Sequence, residues 1–124
     1  MKIIKTNTAP EAIGPYSQAI EIKDSILYTS GQLGFNLGTF DLPNSIEEQT
    51  KNALSHIDGI LKSSGYDKSN VIKVLILLAD INDFNVVNQI YADYFKEHKP
   101  ARSAFQVAAL PKNGLIEIEI IASK

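Results

Sequence analysis

Two residues near the end of the chain, Arg102 and Glu117, have side chains that could bind a substrate or take part in catalysis. Arg102 opens a predicted strand just after Pro100, which is expected to end the preceding helix. A guanidinium fixed on a strand suits two-point recognition of a carboxylate, although a surface salt bridge is an equally good interpretation of its position. Glu117 lies on a strand that alternates apolar and acidic residues, where its carboxylate could orient or activate a water molecule or could simply belong to a solvated strand face. Glu119 shares that strand face, and we interpret it as solvated.

The segment between these residues predicts a β-hairpin. Asn113 and Gly114 both tolerate the positive φ of a tight turn, and an alternating strand follows them. In such a hairpin Glu117 would face Ala108, and Arg102 would lie about 20 Å further along the strand. The two side chains could not then share a small substrate. Either a bulge shifts the register or the site is completed across a subunit boundary, and we favour the second.

Other positions could line a binding site, each with a plain structural alternative. Tyr16 follows a Gly-Pro pair in a loop, where its ring could wall a pocket or plug the core. Ser30 and Gly31 end a strand with small residues, which leaves N–H groups accessible to an anion, but the pattern by itself favours an ordinary strand exit. Asn88 lies between apolar neighbours on a predicted helix, where it could bind a ligand or cap a backbone group.

Composition and missing motifs exclude several classes of site. The chain has 124 residues and no cysteine, and His56 and His98 lie in separate predicted helices, so a zinc site is not expected. The fingerprints of P-loop, nucleophile-elbow and dinucleotide sites do not occur. We therefore expect no metal and no cofactor. Any reaction would have to proceed by positioning and a bound water.

Charge and hydropathy bear on partners and location. The net charge is -2 and no basic stripe is present, which disfavours nucleic acid as a partner. The first residues lack the apolar run of a secretory signal, and the longest apolar run, 74–79, is too short to cross a bilayer. The predicted location is the cytoplasm.

Hydrophobic periodicity predicts an α+β fold in one domain. Ser45 and Glu48 form a capping-box pattern that begins the first helix, and Gly65 suits a left-handed end. The second helix is predicted at 83–98. The predicted strands are 1–7, 17–22, 25–30, 71–79 and the two of the hairpin, with a turn at Lys23 and Asp24 and a long loop at 31–44. The apolar helix faces are Ile46, Thr50, Ala53, Leu54, Ile57, Ile60 and Leu61, and Phe84, Val87, Ile90, Tyr91, Tyr94 and Phe95.

This order of elements predicts a mixed six-stranded sheet with both helices on one face. Strand–helix–strand connections favour right-handed crossovers, which place the helices on the same side of the sheet. The other face then needs a cover, and only another subunit can supply it. We therefore expect an oligomer.

The chain resembles the Rid family, the RidA/YjgF-type enamine/imine deaminases, over essentially its whole length. Four motifs in the order and spacing of that family support the resemblance. They are AIGPYSQAI at 12–20, LYTSGQLG at 27–34, DINDFNVVNQIYADYF at 80–95 and PARSAFQVAALPKNGLIEIEIIA at 100–122.

The resemblance implies a fold, an assembly and a reaction. The fold would be chorismate-mutase-like, in a homotrimeric barrel with sites between subunits. Arg102 would hold the carboxylate of a 2-imino acid such as 2-iminobutanoate or 2-iminopropanoate, and Glu117 would hold the attacking water, giving a 2-oxo acid and ammonia. Backbone N–H groups of Gly31 and Ala104 would add contacts to the substrate. The pocket would be shaped by Tyr16, Ser30 and Asn88.

The chain departs from the family pattern at a few positions. Ala104 stands where many members have cysteine, so no thiol role applies. Gln106 stands where glutamate is common, which removes one charge. The loop at 35–40 lacks a frequent proline and carries two phenylalanines, which could change the size of the pocket. These departures bear on substrate preference.

Three other functions compete with a deaminase. The chain could be a non-catalytic binder of small 2-oxo or amino acids that acts as a metabolite sensor. It could be an endoribonuclease or translation inhibitor, activities also attributed to some members, which its acidic balance disfavours. Chaperone-like binding would need a large exposed apolar patch.

Overall fold

The computed structural model describes residues 1–23 and 25–124. The predicted turn at Lys23 and Asp24 includes Asp24, which lies outside the described residues. The described residues form two helices and seven strands, with short 3₁₀ turns at Lys68–Asn70, Ile81–Asp83 and Pro111–Asn113. The strands are β1 (Lys2–Ile4), β2 (Ala19–Ile22), β3 (Ile26–Thr29), β4 (Gln32–Leu33), β5 (Val71–Leu78), β6 (Ala101–Gln106) and β7 (Ile116–Ser123), and the helices are α1 (Ile46–Ser63) and α2 (Phe84–Phe95).

All seven strands form one mixed sheet. Its order is β1-β2-β3-β7-β5-β6, and β4 additionally pairs with β7. Both β3 and β5 are antiparallel to β7, whereas β5 and β6 are parallel and are joined through α2. The predicted count of six strands is therefore corrected to seven, because two residues of the long loop at 31–44 pair with β7. The α+β class, with two helices and a mixed sheet, agrees with the prediction.

The predicted C-terminal hairpin is wrong. β6 and β7 do not pair, because β5 lies between them and bonds to both. Lys112 and Asn113 do adopt positive φ, of 57° and 55°. They lie in a connection that crosses the end of β5 rather than in a two-residue turn: Val107 N donates to Leu78 O at 2.9 Å, and Ala79 N donates to Leu115 O at 3.0 Å.

Helix α1 begins after Ser45 as its sequence predicts, with the serine half of the capping box present and no bond from Ser45 N to the Glu48 side chain among the described residues. The Ser45 hydroxyl accepts a hydrogen bond from Glu48 N at 3.1 Å, and Gly65 follows the helix with φ of 76°. Every position predicted for the apolar face is buried, together with the polar residues Gln49 and His56. The backbone of Gln49 lies so close to Gly34 that a Cβ added there would stand 2.6 Å from its carbonyl carbon, so a glycine is needed where β4 leads into the loop before α1.

Helix α2 ends earlier than predicted. It stops at Phe95, because Lys96 takes φ of 57°, so Pro100 is not the residue that terminates it. Val87 and Phe95 are fully buried, and the other residues of the predicted stripe pack partly exposed against the same core. His98 lies beyond the helix, and its Nε2 makes a 2.6 Å hydrogen bond with Val71 O.

The two faces of the sheet differ in their cover. Val74, Ile76 and Ile118 are 0% exposed on the face that packs against the helices. On the opposite face Tyr28 is 44% exposed and Phe105 is 48% exposed. In the single chain part of this second face is therefore open to solvent, while at one end Leu33, Phe35 and Leu110 cover Leu77. Among the described residues no helix is long and apolar enough to cross a membrane; the cytoplasmic location stays a prediction.

Candidate active site

A cavity of about 290 Å³ lies where β4 pairs with β7. Glu117 lines it together with Tyr16, Ser30 and Gly31, so the fold brings four of the predicted site residues to one place. Much of the remaining wall is apolar and includes Ile13, Leu33 and Phe35. Glu11 and Gln32 also line it, and a largely apolar recess with a few polar groups is typical of small-molecule sites.

Gly31 gives Glu117 the space that it occupies. A Cβ added at Gly31 would stand 2.6 Å from Cδ of Glu117 and closer still to Oε1. Any side chain at position 31 would therefore displace the carboxylate. The sequence pattern by itself favoured an ordinary strand exit at Gly31. In the structure a glycine is needed there because the Glu117 carboxylate lies so close to it.

The polar groups of Ser30 and Tyr16 are engaged within the chain. The Ser30 hydroxyl donates to Ser17 O at 2.5 Å, and Ser30 N donates to Gln18 O at 2.8 Å. Tyr16 is 47% exposed, and its hydroxyl accepts a hydrogen bond from Ile13 N at 3.2 Å. These bonds hold the loop against the sheet, and the Tyr16 ring forms a wall of the cavity rather than a plug in the core.

The surroundings of Glu117 disfavour the ionised form of its carboxyl group. Burial raises the pKa of Glu117 above its ordinary value, and the negative charge of Glu119 on the same face raises it further. Glu119 itself is exposed, as expected. A carboxylate with a raised pKa is a stronger base in its ionised form, which suits proton transfer to and from a water molecule.

Arg102 lies on the other face of the sheet, against α2. Its Nη1 donates to Asn88 Oδ1 at 2.7 Å. Its Cζ lies over two rings of the same helix, 5.3 Å from the centroid of Phe84 and 4.7 Å from that of Tyr91. Arg102 takes part in no salt bridge among the residues that the structure describes.

Strand pairing places Arg102 and Glu117 on opposite faces of the sheet within one chain. Arg102 pairs with Val74 of β5, and Glu117 pairs with Leu77. Val74 and Leu77 are three positions apart on β5, and side chains alternate between faces along a strand, so an odd offset puts the two on opposite faces. The predicted pairing of Glu117 with Ala108 is wrong, and so is the 20 Å offset based on it. One chain still cannot bring Arg102 and Glu117 to the same small substrate. The reason differs from the predicted one, because the sheet lies between the two side chains.

Comparison with known proteins assigns the family. The family model described as Endoribonuclease L-PSP matches residues 6–124. The chain belongs to this family, the Rid/YjgF family. The 2-iminobutanoate/2-iminopropanoate deaminase of Bos taurus is 54% identical over 122 residues, which covers 98% of this chain and 88% of that protein.

Solved structures of Rid/YjgF proteins superpose closely on the fold. RidA from the Antarctic bacterium Psychrobacter sp. PAMC 21119 gives a TM-score of 0.96 at 39% identity, with 100% of both chains covered. TdcF of E. coli, crystallised with bound serine, gives 0.95 at 38% identity and covers 100% of this chain and 99% of that one. The Rid-type motifs therefore lie on a Rid-type fold.

Two of the positions where this Rid protein departs from the family pattern, Ala104 and Gln106, lie on the Arg102 face. Ala104 pairs with Ile76 and lines a shallow depression with Phe84. Gln106 Oε1 accepts a hydrogen bond from Ile81 N at 2.9 Å, at the turn that leads into α2. A neutral amide thus provides the acceptor that holds this turn against β6.

The sequence did not indicate aromatic residues beside Arg102. Phe84 and Tyr91 were assigned to the apolar stripe of α2, and they do pack against the core. Their spacing from Asn88 also places all three on the face toward Arg102. Phe35 is 5% exposed at the cavity wall, and Phe40 meets it edge-on with centroids 5.7 Å apart. The two phenylalanines of the loop at 35–40 therefore pack on each other beside the cavity.

Proposed function

We propose that the chain catalyses the hydrolytic deamination of 2-enamine and 2-imine acids, such as 2-iminobutanoate and 2-iminopropanoate, to 2-oxo acids and ammonia. The observation that carries this proposal is a half-buried carboxylate, Glu117, in the wall of a small cavity. The chain is also 54% identical to a deaminase of that name. Arg102 is the cation that we assign to the substrate carboxylate.

The proposed mechanism needs only positioning and proton transfer. Water adds to C2 of the protonated imine while the ionised Glu117 takes one of its protons, and a carbinolamine results. Glu117 then returns the proton to the nitrogen and is ionised again. As the C–N bond breaks, ammonia leaves and Glu117 takes the proton of the carbinolamine hydroxyl, so that the 2-oxo acid forms. That proton passes to the ammonia, which is released as ammonium. Arg102 holds the carboxylate throughout, and Asn88 orients Arg102. Backbone N–H groups of Gly31 and Ala104 are proposed as further substrate donors, and Tyr16 and Ser30 as walls of the pocket.

We further propose that the chain assembles as a homotrimeric barrel, each copy contributing residues 1–124 as a single Rid-type domain. Two observations support this assembly. The open sheet face carries exposed aromatic residues, which a neighbouring copy would bury. The Arg102 and Glu117 halves of the site lie on opposite faces, so that facing copies could complete one site between them.

The reaction is tested by generating 2-iminobutanoate in place with a threonine dehydratase and following 2-oxobutanoate. Semicarbazide traps the imine that survives. We expect the protein to accelerate release of the oxo acid and to reduce semicarbazone formation. No acceleration by a folded protein would contradict the proposal for this substrate and would favour the non-catalytic binder of small carboxylates.

A Glu119→Gln variant should shift the pH dependence of this activity. Glu117 acts in its ionised form, so kcat/KM falls as the pH drops through the Glu117 pKa. Removing the Glu119 charge lowers that pKa, and the acidic limb of the profile should move to lower pH. Burial, the larger cause, remains, so the Glu117 pKa should stay above its ordinary value. A pH–rate profile tests this, with exposed Glu97→Gln as the control; an unmoved limb in Glu119→Gln would contradict it.

A further inference from the structure

Arg102 lies in a cluster of side chains that all come from one helix. Phe84, Asn88 and Tyr91 are spaced at i, i+4 and i+7 along α2, a spacing that aligns side chains on one helix face. That face meets β6 at Arg102, where Asn88 accepts one hydrogen bond at 2.7 Å and the two rings lie within 5.3 Å of Cζ. A guanidinium has five N–H donors in its plane, so one bond to Asn88 leaves donors for a carboxylate.

Tyr91 is itself held by the core. Its ring lies 4.7 Å from that of Phe95, which is only 2% exposed. Its hydroxyl is buried and has no hydrogen-bond partner among the described residues. The contact that Tyr91 offers Arg102 is therefore the face of its ring, and that ring has a rigid support behind it.

We propose that Phe84 and Tyr91 are positioning residues for the carboxylate anchor. This role rests on the proposed function: the two rings hold the guanidinium of Arg102, by cation–π contact, in the orientation in which it binds the substrate carboxylate. A free arginine side chain has to lose considerable rotamer freedom when it binds a ligand. An arginine already placed by two rings and one amide has lost that freedom before the substrate arrives, which strengthens binding.

Two substitutions at Tyr91 separate the ring from its hydroxyl. Tyr91→Leu removes the ring and should raise KM for 2-iminobutanoate about tenfold while changing kcat little, since the anchor binds ground state and transition state alike. Tyr91→Phe keeps the ring and should restore most of the wild-type KM. A loss in Tyr91→Phe equal to that in Tyr91→Leu would place the role in the hydroxyl and overturn the proposal.

Tyr94→Leu is the matched control. Tyr94 is also an α2 tyrosine that packs on Phe95, with centroids 4.8 Å apart, but its hydroxyl donates to Asp58 on α1 and it does not contact Arg102. Both leucine variants should lower the melting temperature, whereas only Tyr91→Leu should raise KM. An equal KM in the two variants would mean that Tyr91 acts through general packing, and would overturn the proposal.

A measurement without turnover separates this inference from the proposed function. The Nε–H resonance of Arg102, assigned by its loss in Arg102→Ala, should be displaced by ring currents in the wild type and in Tyr94→Leu. In Tyr91→Leu it should move toward the value of a free arginine. If the wild type fails to hydrolyse the imine but the resonance responds in this way, the reaction is wrong and the positioning stands. A resonance unmoved by Tyr91→Leu overturns the positioning whatever the activity.

Discussion

Replacing Arg102 with alanine should lower kcat/KM for 2-iminobutanoate by about a hundred- to a thousandfold. Two charge-assisted hydrogen bonds to the substrate carboxylate would be lost, each of about 1.5–2 kcal/mol, and each 1.4 kcal/mol is a factor of ten. The proposed function assigns no other cation to this role. The coupled assay with threonine dehydratase and semicarbazide measures the effect directly.

The fold should survive this substitution. Arg102 is half-buried on β6, which lies at an edge of the sheet, and its backbone pairing with β5 does not depend on the side chain. The melting temperature should therefore change little. Arg102→Lys is the informative companion, because lysine keeps the charge and loses the planar fork, and it should recover only part of the activity. An Arg102→Ala protein within threefold of the wild type would contradict the assigned role.

The local elements of this fold could be predicted from sequence, whereas the strand pairing could not. The cap at Ser45, the buried face of α1 and the left-handed Gly65 all follow from neighbouring residues, and the structure has them. Positive φ at Asn113 was also expected and is present. The same signal gave the wrong partner, because a turn residue specifies a reversal of the chain but not which strand lies beside the next one.

The central position of β5 is what decides that pairing. It is the longest apolar segment of the chain, with Val74, Ile76 and Leu78 each 0% exposed, and burial favours placing it between β6 and β7. This preference arises from long-range packing that a hairpin signal does not contain. It also decides the candidate site, because the register of β5 places Arg102 and Glu117 on opposite faces.

In the candidate site, too, the residues themselves could be predicted from sequence, whereas their contacts with residues distant in the chain could not. Residue type and family resemblance were enough to single out Arg102, Asn88 and Glu117. The need for glycine at position 31 could not be predicted, because it depends on Glu117, which is distant in sequence and comes close only once β7 is in place. The ring of Tyr91 was assigned to the core, against which it does pack, but its contact with Arg102 depends on where β6 lies and could not be predicted.

A mixture of two inactive variants should regain activity if the site is shared between subunits. Glu117→Gln removes the base and should be nearly inactive, like Arg102→Ala. In a mixed trimer, however, a Glu117→Gln copy still supplies Arg102 and an Arg102→Ala copy still supplies Glu117. Where these two meet in the correct order, the site is intact. Random assembly from equal amounts should restore about a quarter of the wild-type sites.

The experiment requires unfolding and refolding the variants together, so that subunits exchange, and then measuring imine hydrolysis. Each variant refolded alone is the control, as is mixing the two without unfolding. Recovery only after joint refolding would mean that Arg102 and Glu117 of one site come from different copies. The control for refolding is wild-type protein, which should regain full activity in the same procedure. If it does and the jointly refolded mixture is as inactive as each variant alone, a site shared between subunits is contradicted. Arg102 and Glu117 would then have to meet within one chain, although the sheet lies between their side chains.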